Sequence, residues 1–197
     1  MKNNILVAQN ICYNIENTMV LNNINLTISQ TDAILLHGNN GSGKSTLLKI
    51  LNRDLTPTGG TIHTYPTQST WDRNTILISE HTITEDSTAI EFISYIAKKT
   101  VHNSNIIDYC IQKAKIAHLI DLPLTTLSFG QKKRIAMCAL LCTKSRIWLL
   151  DEPAIGLDQT TTALLKDLIA QHRTMGGAVV VATHNNLFIR NAKSIQL

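Results

Sequence analysis

An α/β fold is predicted for this chain: a mostly parallel sheet with a small antiparallel β subdomain and an inserted helical subdomain. Three patterns predict it. Near-continuous apolar runs at 33–37, 147–150 and 178–182 have the form of strands buried on both faces, which is the mark of a parallel sheet. Residues 1–30 alternate instead (Ile11, Tyr13, Ile15; Ile24, Leu26, Ile28), as in an antiparallel sheet with one wet face. From Asp86 to Cys142 the apolar residues recur at helical spacing, with Ala89, Ile90, Ile93, Ile96 and Ala97 on one segment and Ile106, Ile107, Cys110, Ile111 and Ala114 on the next. A chain of 197 residues, 44% hydrophobic and 16% charged, has the content of one globular domain, and a disordered tail protein is excluded. The expected division is a sheet core with its β subdomain at 1–80 and 143–197, and a helical subdomain at 81–142.

The apolar stretches fall far short of the roughly 18 to 20 residues that cross a bilayer. The first residues, with a short apolar run at 5–8, are too weak for a signal peptide. A reducing compartment is expected, and Cys12, Cys110, Cys138 and Cys142, which lack zinc-type pairing, read as small buried hydrophobes. Net charge +4 comes from scattered basic residues, so charge alone does not argue for nucleic acid. The one short basic run, Lys132-Lys133-Arg134, reads as a solvated helix face or as a contribution to a positive potential across a subunit interface.

The strand at 33–37 runs into Gly38-Asn39-Asn40-Gly41-Ser42-Gly43-Lys44-Ser45, followed by Thr46 and an apolar helix to Leu51. This is a complete G-x-x-x-x-G-K-[ST] pattern between strand and helix. Its glycines let backbone N–H groups face phosphate oxygens, and the helix that begins near Gly43 adds its positive end. A triphosphate is the natural ligand. Lys44 reaches its outer phosphates and the Ser45 hydroxyl suits Mg²⁺. The strand at 147–150 ends in Asp151-Glu152, which sets two carboxylates at the sheet edge where ligands of open α/β sheets sit. Asp151 suits Mg²⁺ and Glu152 suits the activation of water. Ser128, in Leu127-Ser128-Phe129-Gly130-Gln131, is placed to cap the helix that follows, read as 131–142.

Together these segments resemble the phosphate loop, acidic strand end and signature of ATP-binding cassette (ABC) ATPases, over nearly the whole chain. The resemblance implies a P-loop NTPase core of the ABC type, ATP and Mg²⁺ as ligands, and ATP hydrolysis. It also implies a homodimer in which Ser128, Gly130 and Gln131 of one subunit close on the γ-phosphate held by the other. Leu157-Asp158 matches the family's D-loop, His184 the switch histidine at the γ-phosphate, and Tyr13 the aromatic side chain that stacks on adenine. The chain departs from the family at two places. Glu80 or His81 stands where the lobe-joining loop (76–82) carries Gln, and Phe129 stands where the signature has Gly.

Finer details are similar to the ATP-binding subunits of cytochrome c maturation, the so-called haem exporters: the loop itself, Ala89-Ile90-Glu91, the Gln-Lys-Lys-Arg after the signature, Trp148, and Gly176-Gly177. That resemblance implies an integral membrane transporter subunit as partner. It also implies a peripheral position on the cytoplasmic face of a bacterial inner membrane, or on the matrix face of the mitochondrial one. Nucleic acid is not expected as a partner. The alternatives are an ATPase subunit of another exporter (lipid, peptide or drug) and a soluble ABC ATPase acting on nucleic acid or ribosomes.

Overall fold

The structure is a computed structural model and describes residues 3–65, 75–79, 87–98, 104–143, 145–184, 189 and 191–197. The alternating start of the chain folds as β1 (Asn4–Ile15) and β2 (Thr18–Ser29), an antiparallel pair with Tyr13 opposite Leu21. β3 (Ala33–His37) opens the second sheet and leads into α1 (Lys44–Leu51). β4 (Gly59–Thr64) then returns to β1 and completes a three-stranded sheet of order β2-β1-β4. After β5 (Thr75–Ile78) come three helices, α2 (Ala89–Lys98), α3 (Ser104–Ala114) and α4 (Phe129–Leu141). β6 (Ile147–Asp151), α5 (Gln159–Thr174), β7 (Ala178–Ala182) and β8 (Lys193–Gln196) end the chain.

The apolar runs form the centre of a five-stranded sheet of order β5-β6-β7-β3-β8 with every pairing parallel. Successive side chains of a strand point to opposite faces, and here each face has its own core. Ile34, Leu36, Ile147, Leu149, Ala178, Val180 and Ala182 pack with α1 and the antiparallel sheet. Ala33, Leu35, Trp148, Leu150, Val179 and Val181 pack on the other side with Met137 and Leu140 of α4 and Leu165, Leu168 and Ile169 of α5. The helical region has a third core of its own, built by Phe92, Ile93, Ile111, Leu124, Ile135 and Cys138. At its entrance Thr88 and Glu91 cap α2 reciprocally, Thr88 N donating to Glu91 Oε2 at 2.8 Å and Glu91 N to Thr88 Oγ1 at 3.4 Å.

Several boundaries differ from the sequence reading. α4 starts at Phe129, not at 131, because Ser128 caps it directly. Residues 76–78, read as loop, belong to strand β5 at the edge of the parallel sheet. Cys110, Cys138 and Cys142 are free and buried as expected, whereas Cys12 is half-buried and its Sγ accepts from Asn23 N.

The end of the sheet away from the phosphate loop is closed by a flat stack of Trp148 on His172, ring centroids 4.0 Å apart. Burial pushes the His172 imidazole down to about 4, against backbone hydrogen bonds to Arg146 and Ala178 that favour its charged form.

Candidate active site

The site is laid out by sheet register. Leu36 of β3 and Asp151 of β6 both pair with Ala182 of β7, so three strands end side by side. Their continuations are the phosphate loop, the Asp151-Glu152 pair and the Thr183-His184 step. Neighbouring strands lie roughly 4.8 Å apart, which sets the acidic pair about 10 Å from the root of the phosphate loop.

The loop at 38–45 is built as a cradle. Lys44 is buried, and its Nζ donates to the carbonyls of Gly38 at 2.8 Å and Asn39 at 2.9 Å, which ties the loop into a ring. Gly43 takes φ +95° directly over β2, and a side chain there would meet Leu21 Cδ2 at 2.7 Å and Val20 O at 3.0 Å. No side chain caps α1 at Gly43, and the first helical bond runs from Leu47 N to Gly43 O. The N–H groups of Lys44, Ser45 and Thr46 therefore precede the intrahelical ladder and point out of the helix end, where an anion is favoured. Ser42 Oγ is buried with no hydrogen-bond partner among the described residues. A ring of outward amides, a lysine and an orphaned hydroxyl fits a polyphosphate. Gly41 lies exposed at the tip of the loop, between Asn40 and Ser42.

Ser45, Asp151 and Glu152 line one cleft of about 290 Å³, together with Lys49, Ser79, Phe129, Lys133 and Ile155. A serine hydroxyl and an aspartate are hard oxygen donors that suit Mg²⁺ completed by water and phosphate oxygens. Among the described residues there is no cluster of His, Cys, Asp and Glu large enough to cage a softer metal. Glu152 stands in left-handed backbone, φ +44°, with its N–H on Ala182 O at 2.9 Å. Its buried Oε1 lies 3.3 Å from Nε2 of the exposed His184. The structure thus brings Lys44, Ser45, Asp151, Glu152 and His184 to one edge. Tyr13 is half-buried against the antiparallel core, opposite the Leu21 that underlies Gly43.

Ser128 lies elsewhere. Its Oγ accepts from Gln131 N at 3.3 Å while Gln131 Oε1 accepts from Ser128 N at 2.8 Å, a complete capping box. With Gly130, Gln131, Gly156, Leu157 and Asp158 it lines a separate shallow depression. Asp158 itself caps α5 by accepting from Thr161 N at 2.6 Å. That backbone bond, then the Thr161 side chain and nearby Arg134, hold its carboxyl below the usual aspartate range.

The half-buried basic run after the signature is not a freely solvated helix face, and Lys133 lines the cleft of Ser45, Asp151 and Glu152. Arg134 donates to Thr161 Oγ1 at 2.8 Å and to Asp158 Oδ2 at 3.4 Å, and Lys133 donates to the main-chain oxygen of Glu152 at 2.6 Å. These partners are 19 to 27 positions away in the chain, and no spacing rule points to them. Glu80 and His81, the residues at the lobe-joining position, lie outside the described residues.

The family described as ABC transporter matches residues 21–155 of the sequence. The cytochrome c biogenesis ATP-binding export protein CcmA of Gluconobacter oxydans is 32% identical over 179 residues, 91% of this chain and 81% of its own. The CcmA of Reclinomonas americana is 31% identical over 184 residues, 88% of this chain and 82% of its own. Among solved structures, the dimeric ATP-binding cassette MJ0796 in a post-hydrolysis state with ADP and Pi matches with a TM-score of 0.84 at 22% identity, over 98% of this chain and 94% of its own. No helix of the described residues is long and apolar enough to cross a membrane. Sequence, sheet order and the nucleotide cradle agree, and the chain belongs to the ABC transporter family as an ATP-binding, ATP-hydrolysing subunit.

Proposed function

We propose that this ATPase drives a membrane partner in cytochrome c biogenesis, where hydrolysis powers release of a haem-loaded chaperone or haem export. The similarity to CcmA proteins supports that setting. The partner would be an integral membrane transporter subunit of the CcmB kind. The chain would sit on the cytoplasmic face of a bacterial inner membrane or on the matrix face of the mitochondrial one. Two copies would work together, the phosphate loop of one facing the Ser128 helix of the other. The helical subdomain at 81–142 and the core around it would move relative to each other as the nucleotide turns over.

The observation that carries the catalytic reading is the Glu152–His184 pair at the edge that also bears the phosphate loop. In each copy the amides at 43–46 and Lys44 hold the triphosphate, and Tyr13 stacks on adenine. Mg²⁺, held by Ser45 and Asp151, would offset charge on the outer phosphates when bound. Glu152 orients the attacking water and takes its proton. The water oxygen forms the new bond to the γ-phosphorus while the bond to the β–γ bridging oxygen breaks, and ADP carries that oxygen away. His184 steadies Glu152 on one side and a γ-phosphate oxygen on the other. Ser128, Gly130 and Gln131 of the second copy approach that phosphate from the opposite side. Hydrolysis and loss of phosphate remove the charge that holds the copies together.

Glu152→Gln tests the reading, with phosphate release expected to fall by about 10² to 10³. Hydrolysis at the wild-type rate would remove Glu152 as the base. Affinity purification from detergent-solubilised membranes tests the setting. A haem-handling membrane protein is the expected companion, and recovery of ribosomes or chromatin would end the proposal.

A further inference from the structure

Glu152 has its carboxylate beside His184 and its backbone in the left-handed region, φ +44°, which is uncommon for a residue with a side chain and is held here from both sides. On the nitrogen side the hold is the ladder bond to Ala182 O. On the carbonyl side it is Lys133, whose Nζ donates to Glu152 O at 2.6 Å, against 3.4 Å for the other donor to that oxygen, Ile155 N.

Lys133 is itself guided by Phe129, one helical turn earlier, since its ammonium lies 4.8 Å from the centre of that ring. The ring is pressed on the loop that follows Glu152. Gly156 has φ +75° there, and a side chain at that position would collide with Phe129. The bulky residue at a signature position where the family has Gly is therefore the brace of a lysine that grips the turn beyond the acidic pair. Lys133 and Phe129 also line the cleft shared by Ser45, Asp151 and Glu152.

We propose that Lys133 is a positioning residue for hydrolysis: from the helix capped by Ser128 it fixes the main chain of Glu152, with Phe129 as its brace. The inference rests on the reading of Glu152 as the base. It gives the chain a direct link between the signature helix and its own hydrolytic carboxylate. Closure of Ser128 on a second copy would then be felt at Glu152 through about one and a half turns of helix.

The test compares wild type, Lys133→Met, Lys133→Arg and Glu152→Gln by steady-state phosphate release and by titration with the fluorescent analogue mant-ATP. Lys133→Met, which keeps the apolar stem and removes the donor, should lower kcat ten-fold or more while the KM for ATP and the mant-ATP affinity stay within two-fold. Lys133→Arg, which keeps a donor, should retain kcat within three-fold. A Lys133→Met protein with kcat within two-fold of wild type overturns the inference. So does one whose nucleotide affinity falls in proportion to its rate, or an Arg variant as impaired as the Met variant. If Glu152→Gln is inactive while Lys133→Met is not, only this inference fails. If Glu152→Gln turns over at the wild-type rate, the base assignment fails first and this inference with it.

Discussion

Two helix beginnings in this molecule, those of α1 and α4, are chemical opposites. α1 starts at a glycine in left-handed backbone with no side-chain cap, and the charge in its first turn is a buried lysine tied to the loop carbonyls. α4 starts at a serine whose hydroxyl and backbone N–H are both engaged in a box with Gln131. A helix end attracts anions through unsatisfied N–H groups. The first can therefore carry most of the binding energy for a polyphosphate. The second, already satisfied in part by its own residues, has a hydroxyl proton and the amides of Phe129 and Gly130 left to offer. In the proposed mechanism one end is the primary site and the other a closing contact.

The largest expected effect breaks this comparison if it fails. Lys44→Ala should cost about 10³ in hydrolysis, read by phosphate release, and should abolish mant-ATP binding by the isolated protein. Ser128→Ala should leave that affinity within about three-fold. Equal loss of binding in the two variants would show that the ends are equivalent.

The sheet that carries α1 has an acid weakness that the capping box of α4 lacks. The unfolded His172 takes up a proton near pH 6.5, whereas the folded one refuses it until about pH 4. The stability due to neutral His172 is thus complete above pH 6.5 and is lost as pH falls towards 4. Between pH 7 and 5 the loss is about 2 kcal/mol. Chemical denaturation at the two pH values measures it, and His172→Phe, which keeps a ring on Trp148, should abolish most of the difference.

Smaller effects sharpen the contrast. Ser128→Ala should lower stability by about 1 kcal/mol through loss of the cap, and the proposed contact across the dimer predicts that it slows hydrolysis more than that figure converts to. Asp158→Ala should lower the melting temperature for the same capping reason.

What could be read from the sequence divides along similar lines. The apolar runs at 147–150 and 178–182 are buried on both faces, so composition alone reveals them, and the octapeptide at 38–45 is local by nature. Ser128 is legible because a cap and its partner are three positions apart. β4 is not, since its side chains are largely exposed or half-buried and Ile62 is its one large apolar residue. α5 shows Leu165, Leu168, Ile169 and His172 at helical spacing, but the histidine on that buried stripe and the threonines before it mask the signal. The contacts of Lys133 and Arg134 exist only because α4 packs beside the turn at 152–158, and a run of basic residues carries no trace of such packing.

β7 has a consequence that outlasts any single side chain. It lies between β3 and β6 and is hydrogen-bonded to both, with every residue fully buried. It therefore acts as a ruler made of peptide bonds, holding the phosphate cradle and the acidic pair at a span that no rotamer can alter. Side chains on the outside of such a ruler are free to drift. A cassette that shares 22% of its residues with this one can still superpose on it closely.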